Sequence, residues 1–175
     1  MDYTAWGNRA KGTVELLDDA NNTLATFPAD NCESEHVNVR GVDWVVSRSK
    51  QQITAQLPDG SAFVADASPK GFGRAKAIDI DAAGRKMRAI NEDKNDWVYV
   101  DADPEETKLG QFSGGNNGVR KSYTEFEPAS ALTNDQKAFL SLVTRTVLEA
   151  KLSSFTLMLI AFLILLIPVV ILSLL

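Results

Sequence analysis

Apolar and polar positions alternate with a period of two along most of the first 126 residues, and then the period changes. Thr13-Val14-Glu15-Leu16-Leu17 and Thr23-Leu24-Ala25-Thr26-Phe27 flank the polar stretch Asp18-Asp19-Ala20-Asn21-Asn22, which predicts a strand, a turn and a strand. Residues 42–46 set Trp44 among valines, and residues 53–57 alternate again. Asp59-Gly60 is a hairpin pair and leads into Ala62-Phe63-Val64-Ala65. Further strands are predicted at 77–80 and 87–90 around the turn Asp81-Ala82-Ala83-Gly84, and at 109–112 and 119–126. Trp97-Val98-Tyr99-Val100 is the most strand-like segment, because aromatic and β-branched residues fit a pleated, half-buried surface. The reading is mainly β: an antiparallel β-barrel or sandwich over 13–128, preceded by an N-terminal arm at 1–12.

Beyond Pro128 the texture is helical. Thr133 with Gln136 three residues later forms a capping box. Phe139, Leu142, Val143 and Val147 then recur at helical spacing, which predicts an amphipathic connecting helix over 133–152. Its apolar stripe must be buried against the β domain or against another membrane protein. Neither glycine nor proline interrupts the passage into 153–175, where no residue is charged. An apolar run of ~20 residues matches the hydrocarbon thickness of a bilayer, so one C-terminal transmembrane helix is expected. Phe155, Phe162 and Pro168 join the stripe as membrane- or partner-facing residues. Pro168 removes one backbone donor, which transmembrane helices tolerate with a kink. The tail lacks a GxxxG motif, so close self-dimerisation through it is not indicated.

Charge sets an expected location. Arg145 and Lys151 precede the span and nothing charged follows it, so the positive-inside rule places the N-terminal domain in the cytoplasm and the C-terminus at the opposite face. The first residues have no basic and apolar leader pattern, and the span ends at the last residue, so tail-anchored insertion is expected. Asn21-Asn22-Thr23 then reads as a plain turn. The formal charge of −5 argues against nucleic acid as a partner and against tight adsorption to anionic lipid, both of which prefer a basic face. Two local basic clusters, Lys70, Arg74 and Lys76, and Arg85, Lys86 and Arg88, read as solvated strand edges, with a local basic patch as the alternative.

Catalytic chemistry finds little support. Cys32 and His36 supply only half a zinc ligand set, and they read as a loop between strands with an ordinary thiol. Asp79-Ile80-Asp81-Ala82-Ala83-Gly84 begins like a calcium loop but meets Ile90 where a bidentate Glu is required. Asp101-Ala102-Asp103-Pro104-Glu105-Glu106 fails similarly. Gly71-Phe72-Gly73 and Gly114-Gly115-Asn116-Asn117-Gly118 match no phosphate-binding pattern. No cofactor, metal site or enzymatic activity is expected.

The stretch Ala77-Ile78-Asp79-Ile80-Asp81-Ala82-Ala83-Gly84-Arg85-Lys86-Met87-Arg88-Ala89-Ile90, a strand, a D-x-x-G turn and a strand, resembles a unit of the tubby C-terminal-like domains, which include LURP-one-related and scramblase-like proteins. That resemblance implies a β-barrel closed around a hydrophobic C-terminal helix, and lipid or phosphoinositide binding. The overall plan also resembles the small accessory subunits of bacterial respiratory supercomplexes, with one membrane helix and a modest soluble domain without cofactors. The functional expectation is a non-catalytic accessory subunit, partnered by integral membrane subunits and the lipid bilayer. A membrane-tethered lipid- or ligand-binding β module is the alternative.

Overall fold

The computed structural model describes residues 2–29, 34–93, 95–114 and 122–174; the side chains of 154, 155, 157, 161, 165 and 168 onward also lie outside the described residues. Twelve antiparallel strands form a closed barrel. They are β1 (Tyr3–Trp6), β2 (Thr13–Asp18), β3 (Thr23–Pro28), β4 (Ser34–Val39), β5 (Val42–Arg48), β6 (Gln52–Gln56), β7 (Ala62–Asp66), β8 (Ala77–Ala82), β9 (Arg85–Asp93), β10 (Asp96–Asp101), β11 (Lys108–Ser113) and β12 (Tyr123–Phe126). Each strand pairs with its sequence neighbours, and β1 pairs with β12 through Tyr3 opposite Glu125 and Ala5 opposite Tyr123. Closure leaves no free sheet edge.

The alternation seen in the sequence is the in–out alternation of the barrel wall. Val14 and Leu16, Trp44 and Val46, Ile53 and Ala55, Ile78 and Ile80, and Met87 and Ala89 all point inward and are buried. Tight turns come from X-Gly pairs. Arg40-Gly41 and Ala83-Gly84 each place both residues at positive φ, which matches the right-handed twist of the flanking strands. At Asn21, φ 62 and three hydrogen bonds from residues 20 and 22 to the Asp18 carboxylate make the expected plain turn.

Two strands lie where the sequence pattern predicts none. β1 falls inside the expected arm; its burial runs through Thr4, Ala5 and Trp6 without alternation, and only β12 and β2 on either side define it. β4 takes in His36, expected in a loop. Its inward positions are Glu35, Val37 and Val39, and the inward carboxylate hides the period. Cys32 and residues 119–121 lie outside the described residues.

Helix α1 (Asn134–Leu174) is a single continuous element of 41 residues. Thr133 and Gln136 form the expected reciprocal cap, Gln136 N to Thr133 Oγ1 at 3.2 Å and Thr133 N to Gln136 Oε1 at 3.0 Å. The helix does not lie on the β domain's outer surface as a stripe. Every residue from Ala138 to Arg145 is buried, so no face of this segment meets solvent. Its contacts come from strands around the whole wall. Gln136 donates to the Ala82 carbonyl at 3.4 Å, Phe139 meets Phe63 edge-on at 5.5 Å, and Ser141 meets Thr4 at 2.5 Å. The helix therefore fills the lumen. Side chains alone fill a barrel of about eight strands, whereas a wider one needs a plug, and a helix with its side chains is about 10 Å across. Beyond Lys151 the character inverts: Met158, Phe162 and Ile164 are 66%, 60% and 62% exposed. By length and composition this is one helix long and apolar enough to cross a membrane.

Candidate functional site

Helix α1 is the element that the sequence singled out, and the structure divides its candidate residues in two. Phe139, Leu142, Val143 and Val147 are all fully buried in the lumen. They are core residues of the barrel, which corrects their expected partner-facing role. Phe162 lies on the exposed apolar part. The side chains of Phe155 and Pro168 lie outside the described residues.

The polar residues of the lumen segment made the helix look amphipathic, but each has a partner inside. Ser141 bonds back to the Lys137 carbonyl at 2.7 Å, and the Trp6 indole donates to the Ser141 carbonyl at 3.1 Å. Tyr99 donates to the Leu140 carbonyl at 2.8 Å and meets Thr144 at 2.9 Å, while Thr124 donates to Thr144 at 2.9 Å. Small hydroxyl groups thus stitch the helix to β1, β10 and β12. Burial pushes the Tyr99 phenol well above its usual range, so it stays neutral.

A charged cluster marks the end of the barrel by which the helix leaves. Arg145 bonds to Glu149 one turn on at 2.7 Å, and its guanidinium lies 4.9 Å over the Trp6 ring and reaches the Ala29 carbonyl at 3.3 Å. Beside it Arg48 of β5 pairs with Glu35 of β4, both side chains about 5% exposed. Burial pushes the Glu35 carboxyl up against the pull of Arg48 and Arg145. Among the described residues, Glu35 Oε2, Arg145 Nη1 and Glu149 Oε2 have no hydrogen-bond partner. The sequence carried one signal for this cluster: an arginine inside an otherwise apolar helical run. Glu149 follows it by one turn, whereas Glu35 and Arg48, distant in the chain, carried none.

The two basic clusters differ in state. Arg85 forms a two-pronged pair with Asp101 at 2.8 and 2.9 Å and also holds the Ser130 carbonyl at 2.9 Å, next to the start of α1. Lys86 pairs with Asp81, and Arg88 with Asp79 at 2.9 Å. These are the carboxylates that suggested calcium; they hold cations of the neighbouring strand and, at Asp81, the Gly84 amide at 2.8 Å. Lys70, Arg74 and Lys76 are exposed on the β7–β8 connection. Among the described residues no group of three or more His, Cys, Asp or Glu is placed to hold a metal ion. Comparison with known proteins finds no family model, curated protein or solved structure that matches this chain.

Proposed function

We propose that this protein is a non-catalytic, single-pass accessory subunit of a larger membrane protein complex, with the barrel as its water-facing module. One observation carries the reading: a single helix fills the barrel lumen and continues, without a break, as an exposed apolar segment of bilayer-spanning character. Water would strongly disfavour that many exposed apolar side chains on one helix, and lipid or another membrane helix accommodates them. With the lumen stripe occupied inside the barrel, docking falls to the apolar segment and the outer wall. The interior hydroxyl groups of Thr4, Tyr99 and Thr124 are engaged in holding the helix, which supports a structural role for them.

A membrane-tethered binding module of tubby-like type is the second reading, favoured by the helix inside the barrel, the layout that the resemblance implies. Because the lumen is filled, such a ligand would bind outside the wall.

Native membranes extracted in mild detergent and captured on an N-terminal tag separate the two. A fixed, stoichiometric set of membrane subunits supports the accessory reading. Recovery of the chain alone at ordinary expression level overturns it in favour of the binding module.

A further inference from the structure

The charges of this acidic chain are sorted by barrel end. The helix leaves by the rim built from the β1–β2, β3–β4, β5–β6, β7–β8, β9–β10 and β11–β12 connections. Arg145 reaching Ala29 after β3, Lys151 lying 5.0 Å over the Trp97 ring at the start of β10, and the close approach of Gly114 after β11 to Leu148 all fix this end. Among the described residues those connections carry Arg9, Lys11, Lys50, Lys70, Arg74 and Lys76, all exposed, and no carboxylate. Acidic side chains approach this rim at Asp66, the last residue of β7, on the β9–β10 hairpin, as Glu92, Asp93 and Asp96, and as Glu35 and Glu149, which are paired with Arg48 and Arg145. The connections of the opposite rim and the chain start before β1 carry Asp2, Asp19, Asp59, Asp103, Glu105, Glu106 and Glu127 against Arg40, again among the described residues; the strand-end cations there, Arg85, Lys86 and Lys108, are paired with Asp101, Asp81 and Glu127.

We propose that the exit rim is a collar for anionic phospholipid headgroups, lying against the leaflet that the apolar part of α1 enters. The inference rests on the spanning reading above. Helix α1 passes from the rim at Lys151 to exposed Leu152 with no spacer, so a membrane around the apolar segment begins where the rim ends. Its cations then lie within about a Debye length, ~8 Å, of the lipid phosphates. Lys50, Lys70 and Arg74 pair with no carboxylate among the described residues, and Lys76 reaches only the Asn91 side-chain carbonyl, at 3.4 Å. Gly71 locks two of the basic connections together: a Cβ there would stand 2.8 Å from the Lys50 carbonyl. Net charge alone points the other way, and only the segregation of charge makes the collar.

The test reconstitutes the full chain into phosphatidylcholine vesicles containing phosphatidylglycerol, and reads the relative association of spin-labelled forms of the two lipids with the protein. At low salt the wild type should favour phosphatidylglycerol by about fivefold or more, the effect expected for even one engaged cation. The preference should fade at high salt. Joint substitution Lys50→Gln, Lys70→Gln, Arg74→Gln and Lys76→Gln should abolish it; because these side chains are exposed, the unfolding midpoint should hold. Arg85→Gln with Lys86→Gln, near the far rim, should leave the preference intact. Equal association of both lipids with a wild type that resists alkaline carbonate overturns the collar alone, as does a preference that survives the fourfold substitution. A wild type stripped from the vesicles by carbonate overturns the spanning reading and the collar with it.

Discussion

The Tyr99 hydroxyl donates to the carbonyl of Leu140 at 2.8 Å, joining the centre of the barrel wall to the helix it encloses. The same oxygen meets Thr144 Oγ1 one turn later at 2.9 Å, and all three residues are fully buried. Wall and helix are one core. Tyr99→Phe removes this link and leaves the Thr144 hydroxyl with Thr124 only. The expected cost is about 1–3 kcal/mol, as for other buried polar groups that lose a partner, read as a lowered urea midpoint in detergent. An unchanged midpoint would show that the hydrogen bond is incidental.

If the lumen helix is core, the chain can be shortened at one place and not at another. A stop after Lys151 should leave a barrel that unfolds cooperatively and needs no detergent. A stop after Leu132 should leave an empty lumen and no cooperative transition by circular dichroism. Phe139→Ala tests the same point at one residue and should cost about 3–5 kcal/mol, typical of a fully buried phenylalanine. A cooperative transition in the chain ending at Leu132 would contradict the account of the lumen.

Arg145 is the charge most deeply tied to the helix, with its side chain 4% exposed. Arg145→Ala strips Glu149 of its ion pair and takes a cation from beside Glu35, an effect of about 3–5 kcal/mol for a broken buried pair. The joint change Arg145→Met and Glu149→Met should recover most of it, since an apolar pair of similar size leaves no uncompensated charge. Thermal melts of the single and double variants decide the point: equal losses would show that packing over Trp6, not charge, is what Arg145 supplies.

Glu35 should tilt the pH dependence of stability. Folding raises its pKa above the unfolded value of 4.5, so over that interval the folded state holds a proton that the unfolded chain has released. Its contribution is complete below 4.5 and is lost as pH rises through the raised value. The turn carboxylates act oppositely. Asp18, Asp59, Asp66 and Asp81 are lowered by hydrogen bonds from Asn22, Ser61, Ser68 and Lys86, so their contribution is present above 3.8 and fades as acid is added. Urea midpoints from 4.5 to neutrality should therefore fall for the wild type relative to Glu35→Gln. A constant difference between the two proteins would refute the assignment.

Most of the wall was legible because its inward and outward residues differ in polarity, as at Trp44 and Val46 or Ile78 and Ile80. The pattern failed where the interior is polar. Glu35 points inward on β4, and Ser141, Thr144 and Arg145 point into a closed core, so the helix read as half-solvated when it is surrounded. Sequence periodicity assumes that water lies on the polar side; here hydroxyl groups and ion pairs lie there. The closing strand β1 was hidden for another reason, since three consecutive buried residues, Thr4, Ala5 and Trp6, leave no local period and one of the strand's two partners is β12, near the other end of the barrel sequence. The rim charges were visible one by one, but their sorting appeared only once the strand order was known.

A helix that is both core and mast has no swivel. Each residue of α1 turns the axis by about 100° and advances it about 1.5 Å, and no joint separates the lumen segment from the apolar one. The compass bearing of every barrel strand is thereby geared to the bearing of Phe162 and its neighbours. Adding one residue after Leu152 would swing the whole outer wall by about a quarter-turn past whatever the apolar segment grips, while changing no contact in either half.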